Sequence, residues 1–168
     1  MNINFAENKT KILVVGGLLA AVVAVATGYL KIPTAIGYFH LGDGFVFLAA
    51  AILGPFGALA AAIGSTLADI LAGYFLYAPV TFLIKGLMGL LVALLVNKNS
   101  SMYAQAIIMV IAEAIMVFGY FLFECLIYGY EAARVVIITN IMQGAIGVVF
   151  GCLLVKYIAN KIDLFQKQ

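Results

Sequence analysis

The chain has 168 residues, of which 66% are apolar and 10% charged, with a formal net charge of +2 and a mean hydropathy of +1.19. Soluble domains carry about a quarter charged residues, so this composition belongs to an integral membrane protein. At about 20 apolar residues per span there is room for about six helices, and none for a soluble catalytic or nucleotide-binding domain.

The first span is expected over residues 12–30, after Lys9 and Lys11. Its basic start, apolar run and Ala24-Val25-Ala26 imitate a cleaved secretory signal, but the segment is read as a retained helix. Gly16, Ala20, Ala24 and Gly28 recur every four residues and lay a flat strip along one face. Such strips let another helix approach closely, which is the main attraction available in lipid. The partner face lies either within this chain or on another subunit.

Residues 31–44, with Pro33, Gly37, His40, Gly42 and Asp43, read as a loop long enough to cover a site. Spans two and three are expected over 41–53 and 57–73, separated by the helix-breaking Gly54-Pro55. Span four covers 78–96 and leaves through the polar 97–101; span five covers 103–128 and span six 135–158. The expected fold is therefore an all-α bundle of six transmembrane helices forming a single domain. Cys125 and Cys152 stand singly in apolar runs without metal or redox spacing, and read as small buried hydrophobes.

Lysine and arginine near the span ends set the orientation. Lys9, Lys11, Lys98, Lys156, Lys161 and Lys167 gather on the side of both termini, against Lys31 and Arg134 opposite, which places the termini in the cytoplasm. The basic residues form no stripe of the kind that binds nucleic acid.

The polar residues within the spans are the candidate site. A charge at membrane depth costs on the order of 3 kcal/mol and faces a cavity or a partner. Lys85 on span four, Tyr120 and Glu124 on one face of span five, Asn140 and Gln143 on span six, and Asp69 on span three fall in the outer half of the expected bilayer, with Glu113, on the same face of span five, nearer its middle. Together with Tyr77 and His40 they outline a pocket open to the outside, lidded by the 31–43 loop and the turns at 73–78 and 129–134. Amides, an ammonium, carboxylates and aromatic rings suit a small polar heteroaromatic ligand. The plainer alternative has Lys85 paired with Asp69 or Glu113, and Asn140 and Gln143 bound to neighbouring helices.

Catalysis finds little support. His40 alone cannot make a multi-ligand zinc site, no Ser or Cys has a base at hand, and no phosphate-binding glycine loop follows a strand.

The chain resembles the substrate-binding S components of energy-coupling-factor (ECF) vitamin transporters. The resemblance rests on Leu41-Gly42-Asp43, Leu53-Gly54-Pro55, Gly64-Ser65-Thr66-Leu67-Ala68-Asp69, Tyr77-Ala78-Pro79, Ile84-Lys85-Gly86, Glu113, Gly119-Tyr120-Phe121 and Asn140-Ile141-Met142-Gln143. It implies a multi-pass subunit of a bacterial cytoplasmic membrane, working with a transmembrane coupling subunit (the T component) and two ATPase subunits. ATP and Mg would bind on those partners and no cofactor on this chain. It also implies that small residues of the first helix, here Gly16, Ala20 and Ala24, dock on the coupling subunit. Of the vitamins in this branch, pyridoxine or hydroxymethylpyrimidine is preferred over riboflavin or cobalamin, because one Lys, two acids and two amides suit a single hydroxylated ring.

Two other classes remain open. A self-sufficient secondary transporter relaying protons through Glu113, Asp69 and Lys85 would show a repeat with paired broken helices, and none is evident. A purely structural assembly protein would not need the buried Lys85.

Overall fold

The computed structural model describes residues 5–34, 37–97 and 100–161. Six α-helices and a short hairpin form, in the order α1 (Phe5–Tyr29), β1 (Lys31–Thr34), β2 (Gly37–His40), α2 (Gly42–Leu53), α3 (Pro55–Leu71), α4 (Ala78–Leu95), α5 (Met102–Tyr128) and α6 (Tyr130–Tyr157), followed by a 3-10 turn at Ala159–Lys161. Helices α1, α4, α5 and α6 are each long and apolar enough to cross a membrane, while α2 and α3 are shorter apolar helices.

The helix ends follow the chemistry of their residues. Gly54, with φ of 60°, takes a left-handed conformation that side chains avoid, and Pro55 begins α3 where its missing N–H is not needed. Ser101 caps α5 by accepting the Ala104 N–H at 3.2 Å. Gly129, with φ of 84°, is the whole connection between α5 and α6.

Two expectations change here. Residues 31–34 and 37–40 are not loop but two antiparallel strands, with Lys31 opposite His40 and Thr34 opposite Gly37. Pro33 is tolerated because a two-stranded ribbon has two open edges. The turn expected at 129–134 is confined to Gly129, and Tyr130 to Arg134 are already helical. Polar Glu131 and Arg134 weakened the apolar signal there, yet their (i, i+3) ion pair of 2.6 Å suits a helix surface. Lys98 and Lys167, counted above for orientation, lie outside the described residues.

Helix α2 is the centre of the bundle. Its 12 residues span about 18 Å, less than the roughly 30 Å of a hydrocarbon core. It is apolar almost all round, and Val46, Phe47, Leu48, Ala49 and Ala50 are buried. Contacts with α1, α3, α4 and α6 enclose it, and α5 closes the wall between α4 and α6. The hairpin sits against α1 and α6 at one end of the bundle, the end that also carries the α3–α4 and α5–α6 turns.

The small strip on α1 finds its partner within the chain. Ala20 is buried, and a Cβ added to Gly64 of α3 would run into the Ala20 carbonyl oxygen. Gly28 faces Ala68 and Gly16 faces Leu53. Ala20 is thus spent on packing against α3 and is not open for docking; Gly16 and Ala24 lie at the edge of that contact, half-buried. The side of α1 left exposed carries Leu13, Val14, Gly17, Leu18, Ala21 and Val25.

Candidate functional site

At the hairpin end, α1, β2, α3, α4, α5 and α6 converge on a cavity of about 310 Å³. His40, Asp69, Tyr77, Tyr120, Asn140 and Gln143, all named from the sequence, line it. Glu124, counted among the polar groups of span five, lines it too, and Thr27, Tyr74, Thr81 and Thr139, which were not singled out, join them. Thr27 had a visible signal, being a hydroxyl in the apolar run of α1.

Lys85 and Glu113 are not among the lining residues. Lys85 lies behind the cavity floor, fully buried, with its ammonium donating to Asp43 Oδ1. Asp43 accepts at its other oxygen from Gln143 Nε2 at 2.7 Å. The Lys85 Nζ also lies 5.8 Å from the Tyr120 ring centroid, a cation–π distance. The ammonium is therefore paired with Asp43, not with Asp69 or Glu113. Asp43 fell in the stretch read as a loop, and for that reason it was missed as a site residue despite its place in Leu41-Gly42-Asp43.

Glu113 lies deeper, with 5% of its surface exposed, and lines a separate apolar cavity of about 530 Å³ between α5 and α6. Neither carboxyl oxygen has a hydrogen-bond partner among the described residues. The common face shared with Tyr120 and Glu124 is real as periodicity, but seven residues of rise, about 10 Å, carry Glu113 out of the first cavity.

Aromatic rings wall the first cavity. Tyr77 stacks at 6.5 Å on Tyr128 and meets Phe123 at 5.2 Å, Tyr74 at 6.1 Å and Tyr120 at 6.4 Å between centroids. The Tyr77 hydroxyl donates to Glu124 Oε1 at 3.4 Å. Burial, and then the Glu124 carboxylate, push the Tyr77 phenol well above its ordinary value, so it remains a neutral donor. Tyr120 and Thr81 share a hydrogen bond of 2.9 Å. His40 Nδ1 accepts from the Gly42 N–H at 3.2 Å.

Thr27 Oγ1 and Glu124 Oε2 are buried and find no hydrogen-bond partner among the described residues. Unmet polar atoms beside a cavity are open to water or to a ligand that enters it. No group of His, Cys, Asp and Glu that could hold a metal ion occurs among the described residues. The arrangement offers binding through stacking and hydrogen bonds.

Two comparisons place these features among known proteins. Residues 7–160 match the model of the family described as "ECF-type riboflavin transporter, S component". A protein of Pyrococcus woesei, described as "Uncharacterized protein in gap 3'region", is 32% identical over 124 residues, which cover 73% of this chain and 82% of that one.

Proposed function

Since the chain belongs to the S components of the ECF-type riboflavin transporter family, a family of membrane-embedded substrate-binding transporter subunits, we propose that it captures a hydroxylated nitrogen-heteroaromatic vitamin in the cavity at the hairpin end. The observation that carries this reading is the convergence of Tyr74, Tyr77 and Tyr120 with Asp69, Glu124, Asn140 and Gln143 around one space. Rings stack on a flat heterocycle, and the polar groups meet its hydroxyls and ring nitrogens.

At about 310 Å³ the cavity stands at the lower end of the range for small-molecule sites, which favours a single-ring ligand such as pyridoxine or hydroxymethylpyrimidine. The second reading is riboflavin, favoured by the description of the matching family. In either case His40, Asp69, Tyr77, Tyr120, Asn140 and Gln143 bind the ligand, and Lys85 acts on it from behind through Asp43 and Gln143. Glu113 has no part in this site.

In the proposed working state the chain is one transmembrane domain of six helices, with the hairpin end outside and both termini in the cytoplasm. It joins a transmembrane coupling subunit and two ATPase subunits, which bind ATP and Mg, and the chain itself needs no cofactor. Docking uses the exposed side of α1 around Gly17 and Ala21, with Gly16 and Ala24 at its margin.

Two measurements test this. Mass spectrometry of the small molecule that copurifies with the chain is expected to find one of these vitamins; a copurifying molecule without a heteroaromatic ring would overturn the ligand class. Uptake into proteoliposomes is expected only with the partner subunits and ATP. Gradient-driven uptake by this chain alone would replace the reading with a secondary transporter.

A further inference from the structure

The orientation of one amide says how the cavity must hold its ligand. Asp43 is fully buried and bound at one oxygen by the Lys85 ammonium. Beside an ammonium it is a carboxylate, which only accepts hydrogen bonds. The Gln143 side chain is 7% exposed and meets Asp43 Oδ2 at 2.7 Å. The group facing Asp43 must therefore be the NH2 of Gln143, since its carbonyl oxygen would meet a second acceptor. Gln143 lines the cavity, so the oxygen is the end of the amide left for a ligand.

The rest of the lining has the same polarity. Glu124 Oε2 is buried without a partner among the described residues, at the edge of the same space. Asp69 brings a second carboxyl. No Lys or Arg lines the cavity among the described residues, and the Lys85 behind it is neutralised by Asp43. His40 turns its Nδ1 to the Gly42 N–H.

We infer that Asp43, held by Lys85, is a positioning residue that turns the Gln143 carbonyl into an acceptor-lined cavity, which takes its ligand through hydroxyl and N–H donors and rejects the phosphorylated form of the same molecule. This rests on the functional reading above and adds to it a selection by charge. A phosphate ester would bring two negative charges to carboxyl oxygens and a carbonyl, and like charges brought together oppose binding.

The test titrates the purified full-length chain in detergent with riboflavin, pyridoxine, hydroxymethylpyrimidine and the phosphate ester of each. For the vitamin that binds, the phosphate ester is expected to bind at least about tenfold more weakly. In Asp43→Asn, the new side chain must turn its oxygen to Lys85 and its NH2 to Gln143, so the Gln143 amide flips and offers a donor to the cavity. The ratio of vitamin to ester affinity is then expected to fall by about tenfold, the worth of one reversed hydrogen bond. A mere loosening of the fold would weaken both ligands by one factor and leave the ratio unchanged.

Should Asp43→Asn fail to fold with Lys85 unpaired, the double variant Asp43→Leu/Lys85→Met removes the pair as a unit and leaves the Gln143 amide no acceptor to hold its NH2, so the ratio is again expected to fall. The wild-type ratio decides the exclusion of the ester without any variant. Equal or tighter binding of the ester, or an unchanged ratio in a folded variant, overturns the inference and leaves the functional reading standing. Binding of none of the three vitamins overturns that reading and the inference together.

Discussion

Lys85 donates to Asp43 across 42 positions of sequence, joining α4 to the buried α2, and Asp43 passes the constraint to Gln143 of α6. Three helices thereby meet at one ion pair beneath the cavity. Removing one partner of a buried pair leaves an uncompensated charge, at a cost of about 3–5 kcal/mol. Lys85→Ala is therefore expected to lose thermal stability as well as ligand affinity, measured by a fluorescence melt in detergent. Asp43→Asn/Lys85→Met is expected to regain most of the lost stability. A single variant that melts like the wild type would show that the pair contributes nothing.

The close approach of α1 and α3 gives a second prediction. Gly64→Val would drive a side chain into the Ala20 carbonyl, and overpacking of this kind costs about 1–3 kcal/mol. A lowered melting temperature or aggregation in size-exclusion chromatography is the expected outcome. Gly17→Leu has open space around it and is expected to leave the fold intact while impairing copurification with the coupling subunit. Copurification of the Gly17 variant in full yield would refute the docking face.

Tyr77 should act through its ring more than through its hydroxyl. Its bond to Glu124 is long, 3.4 Å, whereas four aromatic neighbours lie within 6.5 Å. Tyr77→Phe is expected to change affinity by less than about threefold, and Tyr77→Ala by about tenfold or more, in the same titration. The phenol's titration is raised in the folded protein, so whatever its neutral form adds is fully present below the ordinary value of 10.0 and is lost only at higher pH. Between pH 6 and about 9 the Tyr77→Phe effect is thus expected to be constant; a drift across that window would contradict a neutral phenol.

Orientation can be read with single cysteines in a variant lacking Cys125 and Cys152. A cysteine at Tyr74, in the exposed α3–α4 turn, is expected to react with a membrane-impermeant maleimide in whole cells. One at Ser101, at the other end of the bundle, should react only after permeabilisation. The reverse pattern would invert the membrane topology.

The helices were legible in the sequence because a run of apolar residues in a nearly polar-free chain has few alternatives. Gly54-Pro55 and the polar residues after Leu95 marked their breaks directly. The hairpin was not legible: four-residue strands with Pro33 and Gly37 carry the same turn chemistry as a loop. Much of the cavity could be named in advance, since Asp69, Tyr120, Asn140 and Gln143 interrupt apolar helices at one level. What escaped was the choice of partner for Lys85. Helical spacing fixes depth and face within one helix, but pairing depends on how α2, α4 and α6 are arranged, and that comes from packing of the whole bundle.

The glycines of α6 set a limit on how this protein can move. A Cβ at Gly144 or Gly147 would meet Glu113, one at Gly147 would also meet Asp43, and one at Gly151 would meet Phe47. Side chains of α2 and α5 thus occupy notches along α6, and a slide or twist by one residue would set a bulkier position against them. Helix α6 is keyed to its neighbours like a bolt in a slot. Any motion that keeps these contacts carries α2, α5 and α6 together as one rigid piece.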